Sequence, residues 1–259
     1  MHLYFNFGEL SIPSYGLAIV LGIIIANLIA LYPLKRYKLD INNFIILEAY
    51  IFLGGFIGSK LLYFIVAFRS IHWDKIFELN YFNQLMGSGF VFYGGLLGGL
   101  LSVVLAGKLH HIDYKTYMKN FIFLIPLVHS FGRIGCFLAG CCYGIPYTGP
   151  FSVIFPENSF ALANVKLFPI QLVEAFLLIV LALSIFIGQM YYNLKNTIET
   201  YLISYSVIRF ILEFFRYDVE RGRFLLFSTS QWISIGIFVI VTIYLLIKVY
   251  KNTSFCAKI

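Results

Sequence analysis

Seven predominantly apolar stretches divide the chain, at approximately Tyr15–Leu34, Phe44–Ala67, Gly89–Gly107, Asn120–Gly140, Leu167–Met190, Thr200–Phe215 and Thr229–Ile247. Most reach the roughly 17 to 25 residues that a helix needs to cross a hydrocarbon layer about 30 Å thick. Charged and turn-forming residues gather between them. The pattern predicts an all-α, polytopic membrane protein of about seven transmembrane helices, organised as one domain over residues 1–259. An odd number of spans places the two termini on opposite sides.

The distribution of positive charge orients those spans. With the N-terminus outside, the inner segments carry Lys35, Arg36, Lys38, Lys108, Lys115, Lys119, Lys195, Lys248, Lys251 and Lys258. The outer segments carry fewer cations, Arg69, Lys75, Lys166, Arg216, Arg221 and Arg223. Cations collect on the cytoplasmic side of membrane proteins, so the N-terminus is predicted outside and the C-terminus inside. Two outer segments, 68–88 and 141–166, mix aromatic, polar and turn-forming residues and are expected to form a small outer-face head.

Composition narrows the function classes. The chain is 60% hydrophobic and only 12% charged, against about a quarter charged in soluble domains. Its net charge of +7 follows from the topology-setting cations, and no nucleic-acid partner is expected. Four cysteines, three of them within seven residues, are not the framework of a disulfide-stapled secreted domain. The first apolar stretch has neither a basic leader nor a small-residue cleavage site after it, and is expected to remain in the protein.

Ionisable groups inside spans are costly and normally face a protein interior or a watery cavity, where they pair or act. His129 and Arg133 stand four residues apart, on one face of the fourth span. Gln171 and Glu174 share a face of the fifth. Arg209, Glu213 and Arg216 form an i, i+4, i+7 stripe on the sixth, and Glu48 and Lys60 lie in the second. Mutual pairing that merely fixes helix packing is one account of Arg209 with Glu213, and a functional role is the other. Arg133 has no carboxylate among its sequence neighbours, so its partner comes from elsewhere, and an anionic ligand suits a guanidinium's forked donors.

Glycines at 54, 55, 58, 94, 95, 98 and 99 suggest close helix packing. The stretch from Gly132 to Gly144 is more specific, joining a buried cation, spaced glycines and the thiols of Cys136, Cys141 and Cys142 at a helix end. A closed zinc site wants four ligands and His129 would have to be the fourth, so no metal is expected. A bridge between Cys136 and either neighbour is geometrically open, whereas a vicinal Cys141–Cys142 disulfide is strained. An inert buried thiol is the simplest reading of Cys136.

Taken together these blocks resemble the prolipoprotein diacylglyceryl transferase family. The resemblance is carried by Ser14-Tyr15-Gly16-Leu17, Phe92-Tyr93-Gly94-Gly95-Leu96-Leu97-Gly98, Gly132-Arg133-Ile134-Gly135, Pro169-Ile170-Gln171-Leu172-Val173-Glu174 and the run from Arg209 to Arg216. It implies seven spans in a bacterial cytoplasmic (inner) membrane. It also implies transfer of a diacylglyceryl group from phosphatidylglycerol to the lipobox cysteine of an exported prolipoprotein, with release of glycerol phosphate and no cofactor. Arg133 and Arg209 would stabilise the phosphate leaving group. Tyr15, Gly94, Gly95, Gly132, Gly135, Gln171, Glu174, Glu213 and Arg216 would shape the binding cavity.

The chain departs from the family pattern at Tyr93, where a histidine is usual, and at Cys136, Ala139 and Cys141, where asparagines and a glutamate are usual. A tyrosine of pKa about 10 is a weak base toward a thiol of about 8.5 unless cations depress it. His129 is the better match, so the proton acceptor is expected to be His129 or Tyr93. Two other classes stay open: a related lipid transferase with another acceptor, using Cys136, Cys141 or Cys142 as nucleophile, and an anion or lipid transporter lined by Arg133 and Arg209. The absence of paired inverted halves weighs against transport.

Overall fold

A computed structural model describes residues 3–7, 10–87, 89–157, 159–217 and 223–256. Of the cations used above to set orientation, Arg221 and Lys258 lie outside them. Two compact units make up the chain, one from Leu34–Met118 and the other from Met1–Pro33 with Lys119–Ile259.

A short hairpin of β1 (Tyr4–Phe7) and β2 (Leu10–Pro13) leads into α1 (Ser14–Arg36). The chain turns at Lys38, with φ 52°, and re-enters helix at α2 (Ile41–Val66), whose N-cap Asp40 accepts from the Asn42 amide at 2.9 Å. Such a cap satisfies one of the first-turn N–H groups that has no intrahelical acceptor. Then follow α3 (Leu79–Gly87), α4 (Phe92–Leu109), α5 (Tyr114–Phe121) and α6 (Leu124–Ala139). Asp113 sets the start of α5 by accepting from the Thr116 hydroxyl at 2.6 Å, a bond that also holds its carboxyl below the usual carboxylate range. The remaining elements are β3 (Val153–Ile154), β4 (Lys166–Leu167), α7 (Ile170–Tyr191), α8 (Thr197–Leu212), β5 (Arg223–Phe224), β6 (Phe227–Ser228) and α9 (Thr229–Cys256).

Among the described residues four helices, α1, α2, α7 and α9, are long and apolar enough to cross a membrane. A fifth span results if α5 and α6, bent by 53° at their junction, count as one. The chain is therefore a multi-pass membrane protein. Its apolar outward flanks, Leu53, Phe56 and Ile65 on α2 among them, are exposed on the protein and need lipid as their solvent. The apolar stretches predicted as the third and sixth spans are the shorter helices α4 and α8. The stripe predicted through Arg209, Glu213 and Arg216 does not lie on one regular helix. α8 ends at Leu212, residues 213–215 tighten into a 3-10 turn, and Arg216 is extended.

The unit of Leu34–Met118 is built on the crossing of α2 and α4. A Cβ on Gly58 would stand 2.8 Å from the Cα of Gly98, and one on Gly94 would stand 2.6 Å from the Leu62 Cβ, so the glycines let the two backbones touch. Lys60, buried in α2, donates to the Leu85 carbonyl and, at 3.3 Å, to that of Met86, at the C-terminal end of α3. Its ammonium also lies 4.7 Å from the Phe90 ring centre. Helix-end carbonyls and aromatic faces thus stabilise a cation that apolar surroundings alone would reject.

In the other unit α6 packs along α7, and α8 along α9. A small-residue stripe on α1, Ala18, Gly22, Ala26 and Ala30, is buried at its three alanines, and a Cβ on Gly22 would stand 2.6 Å from the Phe131 side chain. α9 opens with reciprocal bonds. The Ser228 amide donates to Gln231 Oε1 at 2.9 Å, and the Gln231 amide donates to Ser228 Oγ at 3.2 Å. This is a capping box, Ser-x-x-Gln before an apolar run. At the other end of α9, Lys248 pairs with Glu199 at 3.1 Å.

Gly58→Leu is expected to lower the thermal midpoint in detergent by an amount equivalent to about 1–3 kcal/mol, the usual cost of overpacking. Gly55→Ala is the control, because its Cβ would meet Gly95 O at an ordinary 3.5 Å. Equal midpoints for the two variants would contradict the close crossing.

Candidate active site

The polar residues of the larger unit converge where α6, α7 and the end of α8 meet. On α6, His129, Arg133 and Cys136 follow at i, i+4 and i+7 and so share a face. α7 presents Gln171 and Glu174, both only 1% exposed. Arg133 Nη2 meets Glu174 Oε1 at 2.9 Å, and Arg216 Nη1 lies 3.9 Å from Glu174 Oε2. The carboxylate that the neighbours of Arg133 do not supply therefore comes from α7, and one buried carboxylate faces two guanidiniums. Arg209 pairs with Glu213 at 2.6 Å and reaches Ser230 on α9 at 3.3 Å.

Among the described residues three guanidiniums, Arg133, Arg209 and Arg216, gather around two carboxylates, Glu174 and Glu213. Arg133 Nε and Arg209 Nη1 are buried donors without a hydrogen-bond partner among the described residues. A buried donor left unmatched is expensive, which makes such an arrangement receptive to an anion.

Neighbouring strand-like pairing holds Arg216 in place. Gly144 bridges to Arg216, the Ile145 amide donates to Phe215 O at 3.0 Å, and the Phe168 amide donates to Ile145 O at 3.0 Å. A Cβ on Gly144 would meet Phe215 O at 3.0 Å, so glycine is what lets the three segments close up. Beneath them Phe155 and Leu167 are fully buried, with Phe137, Tyr143, Val153 and Val165 packed around.

The thiols gather at the start of the same segment. α6 closes on Gly140, left-handed at φ 70°, and the Cys141 amide donates back to Cys136 O at 3.0 Å. That is the usual helix-stop geometry, which needs a residue without Cβ strain. Gln171 Nε2 ties the turn to α7 by donating to Cys141 O at 2.8 Å. Cys142 is held toward its thiolate by hydrogen bonds from Cys136 and Cys141, then by the charges of Arg216 and Arg133.

Of the other predicted residues, Tyr15 lies against α6. A Cβ on Gly135 would stand 3.1 Å from the Tyr15 Cα, so this glycine serves a helix crossing. Nothing lies within 4 Å of the Cβ position of Gly132, which leaves open space beside Arg133. His129 sits edge-on to Tyr205 at 5.6 Å between ring centres. Tyr93, Gly94 and Gly95 belong to the unit of Leu34–Met118 and are described with it; Gly94 is engaged against Gly58 and Leu62. Two residues escaped the sequence reading. Ser230 gave no signal of its own, whereas Tyr205, four residues after Tyr201 on an apolar helix, was visible as a polar-tipped aromatic stripe.

The prolipoprotein diacylglyceryl transferase family pattern matches residues 2–247. The phosphatidylglycerol–prolipoprotein diacylglyceryl transferase 2 of Clostridium perfringens is 37% identical over 238 residues, 89% of this chain and 88% of that protein. The phosphatidylglycerol–prolipoprotein diacylglyceryl transferase of Clostridium tetani is 36% identical over 245 residues, covering 91% and 94%. A Wolbachia pipientis protein of the same name is 33% identical over 236 residues, 88% of this chain and 86% of its own.

Replacing Glu174 by Gln is expected to cost about 3–5 kcal/mol, because it removes the charge that Arg133 and Arg216 share. Glu213→Gln is expected to cost less, since Arg209 keeps Ser230. Denaturant titration of the purified protein measures both, and a Glu174→Gln variant as stable as wild type would show that the shared carboxylate is not structural.

Proposed function

This chain belongs to the prolipoprotein diacylglyceryl transferase family, and from that membership we propose that it transfers a diacylglyceryl group from phosphatidylglycerol to the lipobox cysteine of an exported prolipoprotein. The observation that supports the reading best is the pair of buried guanidinium donors, Arg133 Nε and Arg209 Nη1, that have no hydrogen-bond partner among the described residues. The acceptor sulfur attacks the glyceryl carbon, the carbon–oxygen bond breaks, and its electron pair stays on the phosphate oxygen of departing glycerol phosphate. Negative charge grows on that phosphate. Fixed guanidiniums stabilise it as it develops, because they need no reorganisation at the moment of reaction.

In this reading Arg133 and Arg209 hold the phosphate. Glu174, Glu213, Gln171 and Arg216 orient them, while Tyr15, Gly132, Gly135, Gly94 and Gly95 shape the lipid cavity. The proton acceptor is His129 or Tyr93. The whole chain acts as one transferase domain, and α4 and α8 complete a set of seven spans in a bacterial cytoplasmic membrane, with the N-terminus outside. Residues 68–88 and 141–166 then stand on the outer face, where the prolipoprotein arrives.

Arg133→Ala is expected to lower thioether formation from labelled phosphatidylglycerol and a lipobox peptide by about 100- to 1000-fold, the range for losing one transition-state donor. Product unchanged in that variant would remove the phosphate role. For the proton acceptor, His129→Ala and Tyr93→Phe are assayed separately, and full turnover in both would exclude either residue as the base.

A further inference from the structure

Cys136, Cys141 and Cys142 place their three sulfurs within 4.8 Å of one another. The convergence is built by the backbone: the left-handed stop at Gly140, the Cys141 amide returned to Cys136 O, and Cys142 itself held at φ 57°. A left-handed conformation is disfavoured at a residue with a side chain. The turn nevertheless adopts it, and with it brings the third sulfur to the other two.

The arrangement fits a soft, tetrahedral metal ion. Zinc–sulfur bonds of about 2.3 Å put the sulfurs of a tetrahedral site about 3.8 Å apart, a spacing that small side-chain rotations reach from here. Structural zinc sites fill four protein positions, whereas catalytic ones offer three and leave the fourth to a reactant. Cys136 is buried, while Cys141 and Cys142 are half-buried, so the open position has a route to solvent. Zinc would also reduce the charge of three thiolates from −3 to −1.

We infer that Cys136, Cys141 and Cys142 bind a zinc ion whose fourth position takes the acceptor thiol. This rests on the transfer proposed above and deepens it. Metal coordination deprotonates a thiol outright, which supplies the activation that a tyrosine at position 93 performs poorly. The acceptor S–H loses its proton to solvent on coordination. Its sulfur pair then forms the carbon–sulfur bond as the carbon–oxygen bond to phosphate breaks, and the metal stays Zn²⁺ throughout. The thioether product is a weaker ligand than a thiolate and leaves the site open again.

The test uses reduced, full-length protein in detergent, loaded with zinc and then dialysed. One zinc per chain is expected, with affinity at least tenfold lower in Cys141→Ser and Cys142→Ser, both checked for a wild-type thermal midpoint. With cobalt in place of zinc, a lipobox cysteine peptide is expected to intensify the ligand-field bands, and its serine analogue to leave them unchanged. Equal metal content in wild type and both variants, or a cobalt spectrum that the cysteine peptide does not move, overturns the inference. Transfer is measured separately. Arg133-dependent transfer by metal-free protein overturns the zinc site and leaves the transferase reading intact. Zinc and peptide-thiol binding without transfer from phosphatidylglycerol upholds the site and overturns that reading.

Discussion

Glu174 is the residue on which the rest of the site depends. It comes from the first turns of α7, is almost fully buried, and faces guanidiniums from two other segments, Arg133 on α6 and Arg216 beyond α8. It therefore positions two cations at once, which a one-to-one pair does not. The Arg209–Glu213 pair a little further along is of that second, self-contained kind, although it too leaves a guanidinium nitrogen without a partner.

Comparison with Lys60 makes the distinction plain. That cation is also buried in an apolar helix, but helix-end carbonyls and aromatic rings surround it. Its surroundings solve a folding problem locally. Arg133 on α6 and Arg216 beyond α8 are held by a side chain of another element, Glu174 of α7, so their geometry is a property of the assembled unit and is tuned by it.

Much of this was legible in the sequence because lipid imposes long apolar runs and isolates charge. Arg133, Glu174, Arg209 and Glu213 stood out as ionisable groups in apolar company, and helical spacing put Gln171 and Glu174 on one face. What could not be read was tertiary in origin. Nothing in the neighbourhood of Arg133 names Glu174 as its partner, and the break of helix after Leu212 follows from Arg216 pairing with Gly144 rather than from any proline or glycine. The bend between α5 and α6 likewise interrupts what reads as one continuous apolar stretch. The cysteines were visible as a cluster in sequence, but their convergence depends on two left-handed residues, and only glycine advertises that conformation.

The bridge between Gly144 and Arg216 has a mechanical consequence. The chain leaving the thiols and the chain leaving α8 are joined there by backbone hydrogen bonds, with Phe168 bonded to the same strand from the other side. A displacement of the segment after Cys142 would pull on Arg216 and so on the field around Glu174. Backbone position and electrostatic state are then geared together: the thiol turn and the charge behind it turn on one hinge.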